Sequence, residues 1–278
     1  MLNTAVSLGR AGIHVEFISE IAADQAGEMI VRFLHENQVG TSFLNRYEEK
    51  KTTLALAFLN EQADALYSFY SDRPEERLKG KLPVPGRNDI VLFGSFFSLE
   101  DKIYEKLRTF LSEARKNNVL ILYDPNFRRP HLADLRRVMS RIMENLSFAD
   151  IIRGSDEDFL HIFAIRNPGD VYATIRTRDS QVLIYTRSNE MVSILSGEKS
   201  LSVPVPTIEP VSTIGAGDAF NAGLIHSFIT TRIEIGRIPL LTAEDWERIA
   251  GNAIRFSQNV CMSLDNYISH DFLISLEK

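Results

Sequence analysis

The sequence predicts an α/β fold: a mostly parallel sheet flanked by helices, with a small β lid. Three observations predict it. Short continuous apolar runs, Ile90 to Phe93, Val119 to Tyr123 and Val182 to Tyr185, alternate with helix-patterned segments, as buried parallel strands and their crossovers do. A β-rich stretch near residues 42–70 has no attendant helix. A glycine turn late in the chain leads straight into an apolar helix.

Leu2 to Gly12 reads as a helix stopped by glycine, with Leu2, Val6 and Leu8 as its apolar positions. His14 to Ile18 alternates like a strand. Asp24 precedes a second helix whose apolar face is Met29, Ile30, Phe33 and Leu34. Thr52 to Phe58 and Leu66 to Tyr70 are β-rich and separated by Asn60-Glu61-Gln62-Ala63-Asp64, a hairpin pattern that fits a lid or an ordinary edge hairpin. Asp72 to Arg87, rich in charge, proline and glycine, reads as a linker. Beyond it the predicted helices are Leu99 to Lys116, about Leu132 to Leu146, Asp156 to Phe163, Ala216 to Ile229 and Thr242 to Met262. Ile151 and Ile152 mark a short strand, and Met191 to Val205 reads as β structure turning at Gly197. The whole chain, 1–278, is expected to be one domain, with about 42–70 as the lid.

Composition narrows the function. The net charge of −6 argues against a nucleic-acid partner, which needs a basic face. The single cysteine, Cys261, excludes an internal disulfide and a CxxC zinc site, and a reducing cytoplasm is the simplest expectation. The apolar runs are strand-sized, so no membrane span is expected. His14, His35, His131, His161, His226 and His270 include no i, i+4 pair, so a histidine metal site is not expected.

Chemistry concentrates in Ser212-Thr213-Ile214-Gly215-Ala216-Gly217-Asp218-Ala219-Phe220. Two glycines let successive backbone N–H groups point at one spot, and the helix start adds its partial positive charge. An aspartate at such an anion hole would repel a phosphate if binding were the only task. It makes sense if the carboxylate takes a proton from an attacking hydroxyl while the amides hold the migrating phosphoryl group. Taken alone, the same residues read equally as a helix start whose aspartate complements the dipole. GxxxxGK[ST] is absent, and Phe220 stands where GxGxxG needs its third glycine, so neither a P-loop nor a dinucleotide fingerprint applies.

This stretch resembles the D-T-x-G-A-G-D signature of the ribokinase-like (PfkB) family of sugar kinases. Other segments agree in order along nearly the whole chain. Leu2 to Gly12 resembles the family's first helix. Ile18 to Glu28 resembles a segment containing D-x-x-G, here Asp24-Gln25-Ala26-Gly27. Asp124-Pro125-Asn126-Phe127-Arg128 resembles the D-x-N-x-R of fructokinases and ketodeoxygluconate kinases. Ala149 to Asp158 resembles A-D-x-x-x-x-N-x-x-E.

The resemblance implies Asp218 as catalytic base and Gly215, Ala216 and Gly217 as the anion hole. It implies Asn3, Asn126 and Arg128 on the sugar; alone, Asn3 would read as a solvated helix cap and Arg128 as a surface arginine. It implies Ser155, Thr186, Ser188 and Asn252 around the nucleotide, with Asp158 holding Mg²⁺ through water. ATP and Mg²⁺ are the implied co-reactants and a sugar, fructose first, the implied acceptor. The alternatives are a 2-keto-3-deoxygluconate kinase and a catalytically weak sugar- or nucleotide-binding relative. The lid is a candidate homodimer surface.

Departures from the pattern qualify this. Ser212 replaces the leading aspartate that helps bind a monovalent cation in potassium-activated relatives, which argues against such activation. Ser155 and Asp158 replace Asn and Glu, Ser188 replaces the T-x-G glycine, and Met191 replaces a later small residue. The chain also starts beyond the family's first strand, so the sheet is expected to lack it and the sequence to continue upstream.

Overall fold

The computed structural model describes residues 1–59 and 65–276. The chain falls into two compact units, Met1–Ile13 with Val84–Lys278, and His14–Pro83. Asn60–Asp64, the expected hairpin turn, lies outside the described residues.

The first unit opens with α1 (Leu2–Arg10), which buries Thr4, Ala5, Val6, Ser7, Leu8 and Gly9. The chain then enters the second unit. β1 (Val15–Glu16) and β2 (Ser19–Ala22) precede α2 (Gln25–Glu36), followed by β3 (Val39–Gly40), β4 (Leu44–Tyr47), β5 (Lys51–Leu59) and β6 (Ala65–Asp72). The expected strand from His14 to Ile18 is shorter than read, β4 lies inside the expected β stretch 42–70, and β2 and β3 were not expected. Both are too short to show a period of two. They pair in parallel, β1 with β3 and β2 with β4, while β5 and β6 form an antiparallel hairpin.

Asp24 organises this unit. It caps α2 by accepting from Gly27 N at 2.9 Å, and accepts from Thr52 Oγ1 at 2.7 Å and Thr52 N at 3.0 Å. These donors, the Thr52 hydroxyl foremost, lower its pKa to about 2. The folded value lies below the unfolded one near 3.8, so the stabilisation is present above that value and lost as pH falls towards 2. Asp24→Asn is expected to unfold at lower urea than the parent at pH 7, and the two midpoints should converge as pH approaches 2. A constant gap at every pH would show that the charge is not what stabilises the cap.

The rest of the first unit is one six-stranded sheet, ordered β12-β11-β10-β9-β8-β7. Its strands are β7 (Ile90–Gly94), β8 (Leu120–Asp124), β9 (Ile151–Ser155), β10 (Val182–Arg187), β11 (Met191–Ser196) and β12 (Lys199–Pro204). β7 to β10 run parallel, and β11 and β12 return antiparallel. All five residues of β8 and the first four of β9 are buried, which explains the apolar run of β8 and the Ile151-Ile152 pair of β9. The crossovers are α3 (Asp101–Lys116), α4 (Leu135–Phe148), α5 (Asp156–Phe163) and α6 (Pro168–Ile175). α6 was not expected, although Asn167 caps it by accepting from Gly169 N and Asp170 N.

After the sheet come α7 (Ala216–Thr230), α8 (Ala243–Cys261) and α9 (Phe272–Leu276). α7 buries nearly its whole circumference, from Ala219 through Ile225 and again at Ser227 and Phe228, as a helix inside a core must. Phe228 meets Trp246 of α8 edge to face at 6.3 Å. Among the described residues no helix is long and apolar enough to cross a membrane.

Candidate active site

The parallel strands bring four of the expected site residues to one edge of the sheet. Asn126 lies just past the carboxyl end of β8, Ser155 ends β9, Thr186 is near the end of β10 and Ser188 follows it. Ligands of open α/β sheets bind along that edge.

The glycine turn is built as an entry to α7. Gly215 is the residue before the helix and holds a left-handed φ of 86°. Its carbonyl accepts the first helical bond from Ala219 N at 2.8 Å. Ser257 of α8 donates to the Ala216 carbonyl at 3.0 Å. The Ala216 N–H donates to the Thr213 carbonyl at 3.3 Å, and the next N–H groups, those of Gly217 and Asp218, are the ones a helix start leaves without an intrahelical partner and offers to an anion.

Asp218 sits in that first turn and is tied to α1. Its Oδ1 accepts from Thr4 Oγ1 at 3.0 Å and from the Met1 nitrogen at 2.7 Å; its Oδ2 accepts from Asn3 Nδ2 at 3.0 Å. Burial works against the charged carboxyl, while the Thr4 and Asn3 donors favour it. The side chain keeps 21% of its surface exposed. It is an ionised, oriented carboxylate that can still receive a proton from a ligand.

Behind the turn lies a buried polar cluster that the sequence reading missed. Asp124 Oδ2 accepts from Arg153 Nη1 at 3.1 Å and from Asn221 Nδ2 at 2.6 Å, and its Oδ1 from Asn126 N at 3.0 Å. Burial pushes the Asp124 carboxyl up, while Arg153 opposes the shift. Arg153 Nη2 donates to Thr186 Oγ1 at 3.0 Å. The available signal was an arginine directly after Ile151 and Ile152, a charge inside an apolar strand. Asn221 gave a similar one, an amide one turn past Asp218 in the apolar stretch from Ala219 to Ile225. Thr4 gave none, because threonine is common in a first helical turn.

The remaining expected residues have these surroundings. Asn126 holds a positive φ of 40° and donates to Ser95 Oγ at 3.2 Å. Arg128 is exposed and pairs with Glu157 at 3.4 Å. Asn252 donates to the Gly223 carbonyl at 3.0 Å and Ser227 Oγ at 2.9 Å, joining α8 to α7. Ser155 and Asp158 form a capping box at the start of α5. Asp158 is 1% exposed; it accepts from Phe127 N at 2.7 Å, Ser155 N at 2.8 Å and Ser155 Oγ at 2.6 Å. Water would have to reach a carboxylate that the fold has closed before Asp158 could hold Mg²⁺ through it. No three His, Cys, Asp or Glu side chains among the described residues form a metal cage.

Residues 1–247 match the family model described as pfkB family carbohydrate kinase. A fructokinase of Rhizobium leguminosarum bv. trifolii is 29% identical over 231 residues, covering 82% of this chain and 70% of that protein. The fold is that of Xylella fastidiosa fructokinase with bound ATP (TM-score 0.81, 20% identity, covering 99% of this chain and 88% of that one). Salmonella enterica aminoimidazole riboside kinase, complexed with aminoimidazole riboside and an ATP analogue, is similar to the same degree (TM-score 0.80, 18% identity, 99% and 89% covered).

Proposed function

The chain belongs to the pfkB family of carbohydrate kinases, and from that membership we propose that it transfers the γ-phosphate of ATP to a sugar hydroxyl, with fructose as its preferred acceptor. One observation carries the reading: an ionised Asp218, oriented by Asn3 and Thr4, stands in the first turn of α7 directly after a left-handed glycine. A carboxylate and a helix-start anion hole in one turn are what an attacking hydroxyl and a migrating phosphoryl group need together.

In this reading Asp218 accepts the hydroxyl proton as the oxygen attacks the γ-phosphorus. The bond from the phosphorus to the bridging oxygen breaks, and ADP leaves with that electron pair. The Gly215–Gly217 turn and the α7 N-terminus hold the transferred group. The weak basicity of a carboxylate does not disqualify Asp218, because phosphoryl transfer through a loose transition state asks more of positioning than of base strength. Thr186 and Ser188 would flank the nucleotide, and Asn126 and Arg128 the sugar. Mg²⁺ would arrive with the nucleotide, held mainly by phosphate oxygens and water; the chain's own part is to hold the phosphates.

Fructose is favoured by Asp124-Pro125-Asn126-Phe127-Arg128 and by the Rhizobium fructokinase. The Salmonella relative makes aminoimidazole riboside the acceptor to exclude. The test is ADP production from ATP and Mg²⁺ with fructose, ribose, 2-keto-3-deoxygluconate and aminoimidazole riboside. Fructose is expected to give the highest kcat/KM. A higher value for another acceptor overturns the specificity. ATP and sugar binding without ADP from any acceptor supports the non-catalytic alternative.

A further inference from the structure

Arg153 interrupts the apolar run of β9 and is 8% exposed. A buried cation needs partners, and its two are pinned from opposite sides. Nη1 reaches Asp124 at the end of β8, and Nη2 reaches Thr186 on β10. Nε, also buried, has no partner. The guanidinium lies 5.5 Å from the Phe220 ring centroid on α7.

It also packs against the glycine turn. A Cβ built on Gly217 would lie 2.9 Å from Arg153 Nη1 and 3.3 Å from Nη2. Gly217 and the guanidinium therefore pack with no room for a methyl group between them. Asn221, one turn further along α7, shares Asp124 Oδ2 with Arg153. Three elements thus meet on one planar fork: β8, which carries the sugar-side motif, β10, which carries the nucleotide-side threonine, and the first turn of α7. A buried ion pair is weak evidence for stability, since apolar replacements of similar volume often do as well. What a planar fork supplies and an apolar side chain cannot is a fixed angle between several partners.

We propose that Arg153 is the positioning residue of the phosphoryl-transfer turn, clamping Gly217 and hence Asp218 between the carboxyl ends of β8 and β10. Arg153 touches neither reactant; it sets the spacing of base and anion hole. The inference rests on the kinase reading.

Arg153→Lys keeps the charge and loses the fork; Arg153→Met loses both. Both are compared with the parent by thermal melt, by kcat and KM for ATP and fructose, and by amide exchange at residues 216–219. With the fold intact, kcat is expected to fall about 10–100-fold, as an ångström-scale misplacement does. Both KM values should stay within about threefold, and exchange should quicken about tenfold in Arg153→Lys, on the order of the kcat loss. A kcat within about threefold of the parent's in a folded variant overturns the clamp. So does loss of fold in both variants, which would make Arg153 a member of a structural ion pair only. If the parent makes no ADP from any acceptor, the kinase reading falls separately, and exchange alone judges the clamp; unchanged exchange overturns it.

Discussion

Asp218→Asn is expected to lower fructose-dependent ADP formation by ~10²–10⁴-fold, the usual weight of a general base, while ATP affinity stays within a factor of about three. The two effects separate because asparagine preserves the shape of the site. Thr4 Oγ1 can still donate to an oxygen at the Oδ1 position. Asn3, which now donates to Oδ2, can turn its amide over and accept from the new NH₂. Only the proton acceptor is lost. An interaction made solely in the transition state appears in kcat and not in ground-state binding. A coupled ADP assay and a calorimetric ATP titration measure the two quantities. Turnover within tenfold of the parent's would return Asp218 to the simpler role of complementing the helix dipole.

The turn was legible as a helix entry because its residues are local, and its catalytic reading came from the resemblance. Gly215, Gly217 and Asp218 are neighbours in sequence and act as neighbours in space. The sheet was legible for a related reason. Strands such as Leu120–Asp124 are buried on both faces, so each reads as one apolar run. The Arg153 cluster was not legible, because its members are 29 and 33 residues apart along the chain. The charge after Ile151 and Ile152 hinted at a buried arginine, but nothing local named its partners. Asn252 is the converse case. Its place on a late helix fits a nucleotide contact by resemblance, yet its amide donates to Gly223 and Ser227 across a helix–helix contact. Thr4 lies 214 residues from the carboxylate it holds, a pairing that only the packing of α1 on α7 creates.

Gly215→Ala is the second large effect, and it differs in kind from Asp218→Asn. At φ 86° an alanine is strained by about 1–2 kcal/mol from backbone conformation alone. The added Cβ would also lie 2.4 Å from the Asn266 carbonyl oxygen and 2.9 Å from its Cα. Those are backbone atoms and cannot swing aside as a side-chain end would. Relief requires Gly215 to leave the left-handed region or the Asn266 segment to withdraw. The first would redirect the Ala216 and Gly217 amides and disturb the Ala219-to-Gly215 bond that starts α7. The expected result is a melting temperature lower by roughly 4–10 °C, with turnover down ~10²-fold or more. KM for ATP should rise as well, because the amides hold the phosphate in the ground state and the transition state alike. That joint loss separates the anion hole from the base: one substitution weakens binding, fold and chemistry together, the other chemistry alone. A Gly215→Ala protein that melts and binds ATP like the parent would mean that the phosphate is held elsewhere along the sheet edge, and that Asp218 does its work without this turn.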